Sequence, residues 1–198
     1  VEYLSIMKNL QKHRLAVFAS GSGSNAENIA RYFDGREDVK VVLFLSNKKN
    51  AYVLERGKKL RIASHAFEKT DMEEGRILQL LQENQVNFIV LAGYLQKIPP
   101  EIIQAYPDKI VNIHPALLPK FGGKGMYGER VHEAVIQAGE KESGITIHYV
   151  NEHYDRGNII FQASCPVLAS DTPSELALRV HELEYLHYPR IIDKLLKE

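Results

Sequence analysis

Apolar, β-branched runs alternate with helical patterns along the whole chain. That alternation predicts an α/β fold: a mostly parallel twisted sheet with helices on both faces and antiparallel strands toward the C-terminal half. Two further observations narrow it. The first apolar run ends in a glycine-rich turn, SGSGSN from Ser20 to Asn25, of the kind that joins a strand to a helix in such sheets. The length, 198 residues, suits one compact domain and leaves too little for a second sizeable one, so a single Rossmann-like core over residues 1–198 is expected. Met7-Lys8 reads as a natural start, which makes Val1 to Ile6 an extension of no functional weight.

The elements follow in order. Leu15 to Ala19 is a continuous apolar strand, and the glycine turn opens a helix over Asn25 to Phe33. Val39 to Leu45 is the second strand, Ala51 to Leu60 a helix, Ala63 to Phe67 a third strand, and Asp71 to Asn84 one helix. Phe88 to Ala92 is a buried strand, and Pro99-Pro100 starts a helix running to Tyr106. A short strand at Ile110 to Ile113 precedes a helix at Gly128 to Ala138. The alternating GITIHYV then gives a strand at Ile145 to Val150, and Ile159 to Val167 gives the last one. Thr172 caps the final helix, Pro173 fits its first turn, and Leu176, Val180 and Leu183 fall on one face; Tyr188-Pro189 should bend or end it near His187. No internal repeat, linker or low-complexity tract is visible.

Composition excludes several classes of function. Lys plus Arg and Asp plus Glu both number 25, so no excess of basic charge draws the chain to nucleic acid or to a membrane surface. The basic N-terminal stretch is followed only by LAVFA, too short for a targeting core, and no run reaches membrane length, so a cytoplasmic location is expected. The single cysteine, Cys165, forms no internal disulfide and reads as a small buried hydrophobe. No metal is expected, because the eight histidines lack ligand spacing: His148 and His153 straddle a strand end, and His181 and His187 are not one turn apart.

Chemistry concentrates in IVNIHPALLPKF, Ile110 to Phe121. Asn112 and His114 interrupt an apolar strand that Pro115 then terminates. Residues two apart on a strand face the same side, so the amide and the imidazole point into one space, where they can stabilise an oxyanion and move a proton. The same pair also fits a turn cap and a hydrogen-bonded core histidine. A third group is Asp155, in NEHYDRGNII just before Gly157; it is either a turn former or the carboxylate that orients His114 and favours its protonated form. The SGSGSN turn satisfies the loose dinucleotide fingerprint through Gly21, Gly23 and Ala26. The second strand runs into Ser46-Asn47-Lys48-Lys49 rather than an acidic residue, so a phosphate site, or a plain helix cap, is the better reading.

The Asn-x-His-Pro segment, followed farther along by an aspartate at a loop, resembles the signature of the folate-dependent formyltransferases. The likeness covers nearly the whole chain, through VFASGSGSN, LSNKKNAYVLERG, VLAGYLQKIPP, IVNIHPALLPKF, GITIHYVNEHYDRGNIIFQASCPV and ELEYLHYP in that order. It implies a formyltransferase domain that moves the formyl group of 10-formyltetrahydrofolate, a co-substrate, to the amine of glycinamide ribonucleotide in purine biosynthesis. Attack would be direct, through a tetrahedral adduct. By the same resemblance Asn112, His114 and Asp155 are catalytic, with Asn112 and a protonated His114 stabilising the oxyanion. Gly23, Ser24 and Asn25 hold the substrate phosphate, and Glu184, otherwise an ordinary surface charge, contacts the same substrate. Leu95, Gln96, Lys97 and Ile98, with Asn112, form one side of the folate pocket, and Val150, Tyr154 and Asp155 the other. The partners implied are these two small molecules, with no nucleic acid and no membrane, acting on a monomer or homodimer.

The chain departs from the family pattern at Leu95-Gln96, where many members have Met-Arg, and no arginine aligns near Thr70 to meet the folate tail. After LLPK it reads FGGKGMYGERVHEAV, whose Gly122, Gly123 and Gly125 predict a mobile flap. Two related activities share the same three residues: formyltetrahydrofolate hydrolase, expected to carry an N-terminal regulatory domain, and methionyl-tRNA formyltransferase, expected to carry a C-terminal RNA-binding domain. The third alternative is a catalytically silent phosphate-binding module built on the glycine turn alone.

Overall fold

The computed structural model describes residues 12–198, so the expectations for Val1 to Ile6 and for a start at Met7 lie outside the described residues. The chain divides into two compact units, one ending at Ile110 and the other beginning at Val111. The fold is the α/β class expected, mostly parallel, with its antiparallel strands in the C-terminal half.

The first unit holds β1 (His13–Phe18), α1 (Ser24–Tyr32), β2 (Val39–Ser46), α2 (Tyr52–Leu60), β3 (Ala63–Ala66), α3 (Lys69–Glu73), α4 (Arg76–Glu83), β4 (Phe88–Leu91) and α5 (Pro100–Ala105). Its strands lie in the order β3-β2-β1-β4, all parallel. Central strands of this kind are covered on both faces, and Leu15 to Phe18 and Leu43 to Leu45 are accordingly fully buried. The chain leaves β1 toward β2 on one side, while β4 pairs on the other. The glycine turn after β1 therefore sits where an open α/β sheet switches direction and leaves a crevice.

That turn depends on Gly23. The residue caps α1 in the left-handed region, with φ of 70°, and a Cβ there would lie 2.5 Å from the Val53 side chain of α2. The expected single helix over Asp71 to Asn84 is instead two. Glu68 and Asp71 form a capping box at the start of α3, and Gly75, with φ of 74°, breaks the path before α4 begins at Arg76.

The second unit holds most of β5 (Ile110–His114), then α6 (Glu129–Gln137), β6 (Glu142–Tyr149), β7 (Ile159–Pro166) and α7 (Pro173–Leu195). β6 runs antiparallel to both β5 and β7. α7 packs on β6, β7 and α6, and it is longer than expected, because Pro189 lies inside it rather than at its end. Proline in a helix interior costs about 3 kcal/mol. Tyr188 and Ile192, both fully buried, flank Pro189, and burying two such side chains offsets that cost at about 1.5–3 kcal/mol each. As expected, Thr172 caps this helix, accepting a hydrogen bond from the Glu175 N–H, and Leu176 and Val180 are buried.

The buried Tyr188 hydroxyl donates to the Val111 carbonyl at 3.2 Å and so ties α7 to the start of the strand that carries Asn112 and His114. Tyr188→Phe should lower unfolding stability by about 1 kcal/mol in urea titration. An unchanged midpoint would show that this bond does not hold the strand.

Candidate active site

β5 and β6 pair antiparallel with Asn112 opposite His148 and His114 opposite Thr146. Since directly opposed residues of a pair share a face, this register gathers four polar side chains on one side of the two strands. The Asn112 amide nitrogen lies 3.1 Å from His148 Nε2. Thr146 donates to the Ala116 carbonyl at 2.7 Å and accepts from the Leu118 N–H and the Gln162 amide, so it holds the turn that leaves β5 at Pro115. Asp155 comes from the β6–β7 connection and joins the cluster, its Oδ2 3.7 Å from His114 Nδ1 and its Oδ1 3.6 Å from His148 Nε2. Asn112, His114 and Asp155, singled out from sequence alone, therefore converge, with His148 between two of them.

The connection that carries Asp155 is closely fitted. Asp155 has a left-handed backbone, with φ of 53°, and a Cβ on Gly157 would lie 1.6 Å from the Tyr149 carbonyl oxygen. Asp155 Oδ2 accepts the Gly123 N–H at 2.8 Å, and the Phe121 carbonyl accepts the His114 Nε2 proton at 2.7 Å. The glycine-rich stretch expected to be a mobile flap is thus bolted at its near end to two of the three candidate catalytic residues. Only from Lys124 onward is it mainly exposed.

Donation to Phe121 fixes the neutral His114 ring as the Nε2–H tautomer, with the Nδ1 lone pair toward Asp155. Burial pushes the His114 imidazole below its ordinary value, and the opposing pull of Asp155 and of the Phe121 carbonyl does not reverse it. The sequence suggests the pull of Asp155 but not this opposing effect of burial. With only 4% of the residue exposed, desolvation outweighs the neighbouring carboxylate, and the resting group is a neutral base. Burial also works against the charge on Asp155. Its carboxyl is still held below the usual carboxylate range, with the Gly123 N–H donating to Oδ2 and any proton on the facing nitrogens of His148 and His114 adding to the pull. A proton taken up at Nδ1 of His114 is therefore received beside a carboxylate that is already ionised.

Glu184 is not the solvated surface charge that a lone helical glutamate suggests. Its side chain is 12% exposed and pairs with His181 Nδ1 at 2.8 Å, one turn earlier on α7. His132 of α6 is buried with no partner for Nδ1, and burial lowers its affinity for a proton against the pull of Glu184 and Glu129. Val150 and Tyr154, expected on the folate side, are both half-buried on the connection between β6 and β7.

The remaining candidates belong to the first unit. Gly23 is the cap of α1, with Ser24 and Asn25 as its first two residues, so this turn carries the positive end of the helix dipole, which favours an anion. Arg56 braces it from α2, donating to the Ser22 carbonyl at 2.7 Å and pairing with Glu27. Leu95, Gln96 and Lys97 form an exposed loop after β4, whereas Ile98 is buried. The Leu95 N–H donates to Ser20 Oγ at 3.0 Å, and Tyr94 packs edge-on to Phe18, so the loop stands on a rigid base.

His148 is the functional candidate that sequence reasoning missed. The alternation of GITIHYV places Thr146 and His148 on one face, as it placed Asn112 and His114, and that shared polar face was the available signal. The depressed affinity of His114 for a proton has a consequence for stability. The unfolded chain takes up this proton near pH 6.5 and the folded chain only at lower pH, so unfolding is favoured as pH falls through that interval. His114→Asn should remove part of the loss in thermal midpoint between about pH 7 and pH 5, leaving the share due to His13, His132 and His187, whose proton affinities burial also lowers. A profile parallel to that of the parent chain would contradict a neutral His114.

Comparison with known proteins gives the family. The Formyl transferase family matches residues 13–192. The chloroplastic phosphoribosylglycinamide formyltransferase of Arabidopsis thaliana is 43% identical over 195 residues, 95% of this chain and 67% of the plant protein, so the chain spans about two thirds of that relative. The phosphoribosylglycinamide formyltransferase of Bacillus subtilis is 40% identical over 189 residues, 92% of this chain and 94% of its own length. Among solved structures, the phosphoribosylglycinamide formyltransferase of Streptococcus pneumoniae superposes with a TM-score of 0.82 at 40% identity, covering 92% of this chain and 98% of that one. With a matched segment that takes in nearly every described residue, this chain belongs to the formyl transferase family.

Proposed function

We propose that this chain transfers the formyl group of 10-formyltetrahydrofolate to the amine of glycinamide ribonucleotide, a step of purine biosynthesis, by direct attack through a tetrahedral adduct. One observation carries the reading: an amide, an imidazole and a carboxylate meet in one polar cluster on β5 and the β6–β7 connection. This is a set for acyl transfer to a nucleophile that the substrate brings. The names of the relatives support the same acceptor.

In this reaction the substrate amine attacks the formyl carbon, and the carbonyl oxygen becomes an oxyanion. Asn112 stabilises that charge with the amide hydrogen not committed to His148. The Nε2–H of His114 is engaged by Phe121, so the imidazole serves at Nδ1, taking up the amine proton with Asp155 beside it to hold the imidazolium. Breakdown of the adduct returns a proton to the departing folate nitrogen. Gly23, Ser24 and Asn25 take the substrate phosphate at the N-terminus of α1, a role supported by the left-handed glycine turn and by the helix dipole there, and Glu184 contacts the same substrate. The backbone of Leu95, Gln96, Lys97 and Ile98 pairs with the pterin, and Val150, Tyr154 and Asp155 line the same co-substrate. No helix among the described residues is long and apolar enough to cross a membrane. The reaction is placed in the cytoplasm as part of this proposal.

The test supplies 10-formyltetrahydrofolate with and without glycinamide ribonucleotide and follows release of tetrahydrofolate. Release that requires the amine is expected; release without it would make the chain a hydrolase, and none under either condition would favour a silent phosphate-binding module. Asn112→Ala should lose roughly a hundredfold in turnover, because one oxyanion donor is worth about 3 kcal/mol. Near-normal turnover in a folded variant would remove Asn112 from the chemistry.

A further inference from the structure

The mechanism above leaves one buried, partnered histidine without a role. His148 is only 2% exposed and stands directly across from Asn112 in the β5–β6 pair. Its Nδ1 lies 2.8 Å from the Tyr149 carbonyl, which can only accept, so the proton of the neutral ring resides on Nδ1. Nε2 is then a bare lone pair, and the group 3.1 Å from it must donate. An asparagine side chain has a donating end and an accepting end of nearly the same shape. Only its nitrogen can face that lone pair; the flipped amide would set two acceptors against each other.

The carbonyl that sets the tautomer is itself fixed. Gly157 packs its backbone against the Tyr149 oxygen in a space that no Cβ could share, and the Tyr149 N–H donates to the Asn158 carbonyl at 3.0 Å. Asp155 works in the opposite direction. Its Oδ1 lies 3.6 Å from the same Nε2, too long for a hydrogen bond but close enough to favour a proton there. A proton on Nε2 would turn toward Asp155 and repel the Asn112 nitrogen.

We infer that His148 is a positioning residue for formyl transfer: the Tyr149 carbonyl holds it as the Nδ1–H tautomer, and its bare Nε2 fixes which way the Asn112 amide faces. This rests on the function proposed above, because the amide being oriented is the oxyanion donor of that reaction. His148 touches no reacting atom. Its effect passes through Asn112, which separates it from a histidine that merely fills the core.

Two measurements test the inference. In steady-state kinetics, His148→Phe should lower kcat about thirtyfold with both KM values within about threefold, whereas His148→Gln, whose side-chain oxygen accepts at the same place, should stay within about fivefold of the parent. In the Asn112→Ala background His148→Phe should cost less than about threefold more, since the residue it orients is gone. Losses that multiply in the double variant, or a Gln variant as impaired as Phe, would overturn the inference. The second measurement needs no turnover and no variant that must fold: the imidazole nitrogen-15 spectrum of the parent chain should show His148 protonated at Nδ1 and bare at Nε2. A proton on Nε2 would overturn the inference directly. A parent chain that transfers no formyl group would instead overturn the function proposed above, and the tautomer spectrum would then decide alone whether His148 holds the Asn112 amide.

Discussion

Register between two short strands governs this molecule's chemistry. Antiparallel pairing of β5 with β6 sets Asn112 against His148 and His114 against Thr146, and a slip of one residue would turn all of β6's partners to the opposite face. Apolar residues make such a slip costly. Val111 and Ile113 on β5, and Ile145 and Ile147 on β6, are buried on the other side of the same strands. The core thus positions the polar groups, because burial of one face leaves the second face no choice of neighbours.

A polar cluster inside a low-dielectric surround has to satisfy itself, and this one does so through backbone carbonyls. Phe121 takes the Nε2 proton of His114 and Tyr149 takes the Nδ1 proton of His148. Both imidazoles consequently present lone pairs toward the interior of the cluster, one to Asp155 and one to Asn112. The arrangement is polarised to receive a proton rather than to give one. Burial keeps the His114 ring neutral at rest, and the ionised Asp155 makes protonation favourable only when a proton is delivered.

Much of this was legible in the sequence, for a reason that can be stated residue by residue. Asn112 and His114 were visible because polar side chains in an apolar strand violate the pattern around them, and Pro115 marked where the strand ends. Thr172 and Pro173 announced the last helix by their capping chemistry. What escaped depends on contacts between distant segments. His148 lies in a strand that reads perfectly well as half-buried, and its importance appears only once β6 is laid beside β5 in register. The pull of Asp155 on a His114 proton can be inferred from sequence, whereas the depth of burial that opposes it cannot. Gly75 and Pro189 mislead in opposite ways: the glycine ends a helix whose periodicity continues across it, and the proline sits inside a helix that packing sustains on both sides.

Positions of protons within the cluster decide between this account and a merely structural one, and neutron diffraction from deuterated crystals of the chain sees them. The account requires deuterium on Nε2 of His114 pointing at the Phe121 carbonyl, deuterium on Nδ1 of His148 pointing at the Tyr149 carbonyl, and the amide nitrogen of Asn112 facing His148. Deuterium found instead on Nδ1 of His114 or on Nε2 of His148, each directed at Asp155, would contradict it.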